Sequence, residues 1–400
     1  MMRRPLAFLV VSVAVAVPSH AADKIFDPTV LHDTQLVMDP ADWAALRANF
    51  HSNQYYAANV AIDGDVLEQI GVRSRGQGSR DSTKPGVKLD FNKLARGQTF
   101  HGLKSVQVKN ILQDPAMLRD YLAMTVFNAM GIPAPAVSYT RLTVNGEYWG
   151  LYNLVESVEE PFLVEHFGEK TGDLYKYEYT FAWDFSTRGP GANAYVPVPF
   201  KPEVPDSPDT SGLVALVQAV NEPSDAAFAG EIAASMDPRE FVSYIAIENA
   251  LAEYDGMLGN EGMNNFFVYQ FAGTSRFIFI PWDKDSSFLQ ANWPVFQRVD
   301  DNVLARRLLA DPGLRQAYLD TVVKAVTGYV NPAWLGPRLE AAYGLFRPSA
   351  LQDTKKPYSN DDFELAVEGL RGIIAARPAD VMAQLLAGSS SHRQAWGSDR

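Results

Sequence analysis

The chain has 400 residues, 47 acidic against 35 basic side chains for a formal charge of -12, 47% hydrophobic residues, 28 Gly, 25 Pro and no cysteine. This is a globular composition, and its length exceeds the ~250–300 residues at which one core stops growing, so two lobes or domains are expected. The acidic balance disfavours nucleic acid as a partner, the missing cysteines exclude disulfides and thiolate chemistry, and six scattered histidines argue against a zincin-type site.

Arg3 and Arg4 precede an apolar run from Leu6 to Val17 and the small-x-small sequence Ser19-His20-Ala21. This is the pattern of a secretory signal peptide over residues 1–21. The run is shorter than the ~20 residues a membrane span requires, and no later segment has the length and apolarity of one. The mature chain is therefore expected in the periplasm or the medium.

Asp39-Pro40 supplies an N-cap and a first-turn proline, predicting a short helix there. Asn59 to Ile62 and Val66 to Val72 read as strands around the turn Asp63-Gly64-Asp65, and Pro85 to Phe91 as a further strand carrying Lys88. Asp114-Pro115 predicts another helix start, with apolar positions from Leu118 to Ala129 at helical spacing and Gly131 as the stop. Val137 to Val144 and Tyr148 to Val155 flank Asn145-Gly146, the dipeptide that most favours a type I′ hairpin. The Pro- and Asp-rich segment 201–212 marks a surface connection. Beyond it the periodicity turns helical, at Pro238 to about Ala252, Val303 to Gly328, Ala333 to Tyr343 and Asp361 to Ala376. A strand pair, Phe266 to Phe271 and Arg276 to Ile280, interrupts these helices. The resulting organisation is α+β: a sheet-rich part over 22–200, the connection 201–212, a mainly helical part over 213–387 and a flexible tail over 388–400.

Three groups of residues have chemical potential. Asp255 lies where a helix gives way to a Gly- and Asn-rich loop, Asn264 and Asn265 precede the first strand of the late hairpin, and Asp283 and Asp285 follow its second strand. The ends of a hairpin lie side by side, so Asn265 is expected near Asp283, with Asp255 joining from the loop. Carboxylate and amide oxygens are hard ligands suited to Mg²⁺ or Mn²⁺; the plainer alternative is that the two aspartates only cap turns. Arg73, Arg75, Arg80, Lys84 and Lys88 are interleaved with glycines in GVRSRGQGSRDSTKPGVKLDF, a composition that suits a phosphate or, more simply, a solvated hairpin end. Glu156 closes an apolar strand and either ends it in solvent or pairs with a buried lysine.

The order RGQGSR, KPGVKLDFNK, DPAMLRDYLA, GIPAP, VNGEYWGLYNLVE, GDLYK, NNFFVY and PWDKD resembles the CotH family of atypical, secreted or spore-coat protein kinases, over Met38 to Phe288. The resemblance implies a kinase-like fold of two lobes with ATP between them. It matches Asp255 to the catalytic aspartate and Asp283 to the metal-binding aspartate. By position, Asn265 is assigned as a second ligand of Mg²⁺ or Mn²⁺, Lys88 as the phosphate-contacting lysine, Arg75 as its neighbour and Glu156 as its acidic partner. The implied activity is transfer of the ATP γ-phosphoryl group to Ser or Thr of an exported protein. Two alternatives stand beside it: a secreted binding or adhesion protein on an inactive kinase-like scaffold, and a glycosyltransferase-like use of Asp283-Lys284-Asp285. The latter fits poorly with an N-terminal half that lacks a doubly wound pattern.

Overall fold

Period-two alternation of apolar side chains builds the first half of the molecule. The computed structural model describes residues 24–181 and 183–397, so the leader expected over 1–21 lies outside the described residues. The first elements are β1 (Leu31–Met38), α1 (Pro40–Ala48), β2 (Tyr56–Ile62), β3 (Asp65–Ser74), β4 (Val87–Asp90), β5 (Ser105–Lys109), α2 (Arg119–Ala129), β6 (Val137–Val144) and β7 (Glu147–Glu156). Their seven strands close into a barrel of order β1-β2-β3-β4-β5-β7-β6. All its pairings are antiparallel except β1 with β6, which closes it. Closure leaves no sheet edge exposed. Val72, Val87, Leu89, Val106, Val108 and Leu154 belong to the core inside the barrel. Because side chains alternate, the intervening residues Arg73, Lys88 and Gln107, in register across β3, β4 and β5, face outward.

A second sheet follows, from β8 (Asp173–Tyr177), β9 (Phe200–Val204), β10 (Phe266–Gln270) and β11 (Phe277–Pro281), in the order β11-β10-β8-β9. Helices surround it: α3 (Glu160–Phe167), α4 (Ser211–Asn221), α5 (Asp225–Ser235), α6 (Pro238–Ala250), α7 (Val303–Leu309), α8 (Pro312–Gly328), α9 (Leu335–Gln352) and α10 (Asn360–Gly397). Their apolar faces share one core with α2 and this sheet, including Phe127, Leu174, Ile245, Val268, Leu308 and Phe346. Among the described residues no helix is long and apolar enough to cross a membrane.

Four features differ from the sequence expectation. α2 starts at Arg119 because Asp114 spends its carboxylate on the N–H groups of Ala116 and Arg119, at 3.0 and 2.8 Å, in a turn that holds Met117 at φ 60°. The expected helix from Val303 to Gly328 divides in two, since Asp311 accepts from the N–H of Leu314 at 2.8 Å and Pro312 opens a new helix. The Pro-rich connection begins as strand β9, whose Pro202 opposes Tyr175; β9 is an edge strand, where a missing N–H is tolerated. Residues 388–397, expected as a tail, continue α10.

Candidate active site

A cleft of about 1280 Å³ lies against the outward face of β3–β5, with Arg73, Arg75, Lys88 and Gln107 on that wall and Asp255, Asn264, Asn265 and Asp283 also lining it. The late hairpin positions the acidic side. Phe266 pairs with Pro281, and the N–H of Trp282 donates to the Asn265 carbonyl at 3.1 Å, so Asn265 and Asp283 emerge from adjacent hairpin ends. Both hold a left-handed backbone, φ 56° and 52°, a conformation that Asn and Asp adopt more readily than other side chains. Asn264 Nδ2 donates to both Asp255 oxygens at 3.1 Å, and Asn265 Nδ2 donates to Asp255 Oδ2 at 2.9 Å. Two amides thus orient one carboxylate.

Buried charges lock the loop beneath. Lys284 Nζ donates to Glu248 at 2.6 Å and to the Asn265 carbonyl at 3.0 Å. Glu248, on α6, in turn accepts from the N–H of Met257 at 2.8 Å. Gly256 is required here, since a Cβ on it would lie 2.5 Å from the Glu248 carboxylate. Glu253 accepts from the Asp255 N–H at 2.8 Å and from the Ser287 hydroxyl.

On the barrel wall, Lys109 at the end of β5 donates to Asp120 of α2 at 2.6 Å and to Asp283. Asp285 lies 3.6 Å from the same ammonium. Burial favours a neutral Lys109, but the charges of Asp120, Asp283 and Asp285 outweigh it and hold the amine above its ordinary range. Burial likewise opposes an ionised Asp283, yet Lys109 and Arg75 keep it well below the usual carboxylate range. Asp255 has no such counter-ion at contact, and burial raises it above an ordinary aspartate despite its amide donors. Arg75 is 6% exposed and its Nη2 stands 3.7 Å from Asp283, while its Nε and Nη1 have no hydrogen-bond partner.

Of the six residues given a role by the resemblance, the structure brings five, Arg75, Lys88, Asp255, Asn265 and Asp283, to this one cleft. Glu156 lies elsewhere. It opposes Val106 across β5 and β7, so it shares the face of Val106 and not that of Lys88, and its carboxylate accepts from the Ala136 N–H at 3.1 Å. The pairing of Lys88 with Glu156 is therefore corrected: the carboxylate beside Lys88 is Glu159, at 3.8 Å. Lys109 and Asp120 were not singled out. The available signal was Asp120 beside the apolar stripe of α2 and Lys109 following Val106 and Val108 in β5, two charges whose burial demands a partner.

Among the described residues no three acidic or histidine side chains converge as a metal cage. Mg²⁺ does not need one, since it is usually bound through one or two carboxylates and the substrate's phosphates. Asp283 and the amide oxygen of Asn265 fit that donor chemistry. The two partnerless guanidinium nitrogens of Arg75, buried against Asp283, fit an added anion.

Residues 72–381 match the profile of a family described as CotH kinase protein. Inner spore coat protein H of Bacillus subtilis is 22% identical over 342 residues, covering 82% of this chain and 90% of that protein. Spore coat protein homolog 1 of Rhizopus delemar is 20% identical over 368 residues, covering 83% of this chain and 56% of that protein. The crystal structure of the Helicobacter pylori proinflammatory kinase CtkA covers 76% of this chain and 95% of its own at 11% identity, with a TM-score of 0.33, too low to carry an assignment of fold. With 310 contiguous residues within the matched profile, the chain belongs to the CotH kinase family.

Proposed function

We propose that this protein transfers the γ-phosphoryl group of ATP to Ser or Thr hydroxyls of an exported protein, with the barrel and the helical part acting as the two lobes of a kinase-like fold. The observation that carries the reading is the convergence on one cleft of Asp283, the partnerless Arg75 nitrogens, and Asp255 held by two asparagine amides, with Asp283 backed by the buried Lys109–Asp120 pair. Protein kinases use the same parts: a strand lysine paired with a helix acid, a metal-binding aspartate, and a catalytic aspartate with an asparagine.

In this reading Arg75 binds and orients the phosphate oxygens, and Lys109 holds Asp283 in place from behind. Asp283 and Asn265 would hold Mg²⁺ or Mn²⁺, which supplies charge neutralisation on the phosphates when bound. The acceptor oxygen bonds to the γ-phosphorus as the bond to the β–γ bridging oxygen breaks and ADP departs. Asp255 accepts the hydroxyl proton, and burial makes it a stronger base than a free aspartate. Lys88 and Glu159 lie farther along the same wall and line the remainder of the nucleotide site. The leader expected at the N-terminus and the spore-coat names of the two relatives support an exported substrate.

The test is incorporation of labelled phosphate from ATP into proteins exported by the source cell. Asp255→Asn is expected to retain ATP binding and to lower the transfer rate ~10²–10⁴-fold, the usual range for removal of a general base. Equal incorporation by Asp255→Asn and the unaltered chain would refute the assignment.

A further inference from the structure

Outside the cleft, a fully buried ion pair joins two distant parts of the chain. Lys84 Nζ stands 2.6 Å from Asp353 Oδ2, and neither side chain is exposed. Asp353 follows α9, at the start of the link to α10. Its Oδ2 also accepts from the Leu151 N–H at 3.1 Å, and its Oδ1 from the N–H groups of Lys355 and Lys356 at 3.0 and 3.1 Å. Gly150, at φ 122°, makes room for it, since a Cβ there would sit 2.4 Å from the carboxylate.

Lys84 belongs to the connection between β3 and β4 that begins with Arg75. Asn110 Nδ2 donates to the carbonyls of Ser79 and Lys84, each at 2.8 Å, and the Arg75 N–H donates to the Gly86 carbonyl at 2.9 Å. Lys84 thus fixes the returning limb of the loop two residues before the rung that sets Arg75. Farther along the same link, the Tyr358 hydroxyl lies 3.2 Å from the carbonyls of both Ile111 and Asp114. That turn leads into α2, whose Asp120 holds Lys109. One short link therefore grips both supports of the phosphate wall. A buried ion pair adds little stability over apolar side chains of the same volume, which points to geometry as what this one supplies.

We propose that the α9–α10 link, residues 353–358, is a strut whose positioning residues Asp353 and Tyr358, with Lys84, set Arg75 and Asp120 for the nucleotide phosphates; this rests on the phosphotransferase reading above. The test measures ATP affinity in the presence of Mg²⁺ by titration calorimetry, and hydrogen exchange of segments 76–84 and 111–118, in the full chain and in Lys84→Met, Asp353→Asn and Tyr358→Phe. Misplacement of the phosphate groups is expected to weaken ATP binding at least ~10-fold in the first two variants and about threefold in Tyr358→Phe. Exchange should rise in the two segments while β1 and β2 keep their protection. The double variant Lys84→Gln with Asp353→Asn, a neutral hydrogen-bonded pair, should recover affinity to within about threefold of the unaltered chain. If Lys84→Met does not fold, Tyr358→Phe and the double variant decide. Variants that fold and bind ATP as tightly as the unaltered chain would overturn the strut and leave the phosphotransferase reading intact. An unaltered chain that binds no nucleotide would overturn that reading, and the strut with it.

Discussion

Lys109 keeps its charge in a buried place because three carboxylates surround it, and that arrangement dictates what its removal does. Lys109→Met leaves the buried Asp120 without its counter-ion and Asp283 with Arg75 alone, so a loss of about 3–5 kcal/mol in urea unfolding is expected; a loss below 1 kcal/mol would show that the group is hydrated and not a buried network. Glu253 behaves differently. Burial raises its carboxyl to about 7, against the opposing effects of Lys284 and Ser287. An unfolded glutamate titrates near ~4.3, so between that value and about 7 the folded state binds the extra proton and stability falls as pH rises. Below that window both states are protonated and the effect vanishes. Glu253→Gln should therefore gain on the unaltered chain by up to about 3 kcal/mol between pH 4 and pH 8, measured by urea midpoints at both. A difference independent of pH would contradict the assignment. Asn265 and Asp283 were legible because hairpin ends must be neighbours, and Asp255 because it lies where the preceding helix gives way to their loop. Lys109 was not, because its partners lie 11 and 174 residues away.

Elements were most legible where a cap or turn residue had one geometry open to it. Asn145-Gly146 takes φ 50° and 82° as a type I′ turn requires, and Asp39-Pro40 and Asp237-Pro238 open α1 and α6. Asp114-Pro115 carries the same signature without starting a helix, since the Asp114 carboxylate also reaches the Arg119 N–H and closes a wider turn first. Its tertiary purpose becomes visible only with Tyr358 in place. Packing is close where the residue before β8 meets β10: a Cβ on Gly172 would lie 2.1 Å from the Gln270 carbonyl and 2.7 Å from the Tyr269 hydroxyl. Gly172→Ala must push those strands apart, and a loss of about 1–3 kcal/mol in thermal or urea unfolding is expected. An unchanged midpoint would mean that the β8–β10 pairing yields freely at that end.

At the scale of the whole molecule, a net charge of -12 coexists with a cleft wall that carries Arg73, Arg75 and Lys88. Composition disfavours nucleic acid as a partner, yet it could not reveal that basic side chains are gathered on one face, because that depends on the register of three barrel strands. Nor could it show that β8 and β9 leave the barrel for the sheet that carries the hairpin of Asn265 and Asp283. We propose that this wall and that hairpin together bind a nucleotide through a metal. It is tested most directly by thermal unfolding of residues 22–400 with and without ATP and Mg²⁺ or Mn²⁺, repeated with Asp283→Ala. At about 100 times the dissociation constant the ligand should add ~2.7 kcal/mol of stability to the unaltered chain and none to the variant. A chain that melts at the same temperature with every nucleotide and metal combination, or a variant that gains as much as the unaltered protein, would contradict it.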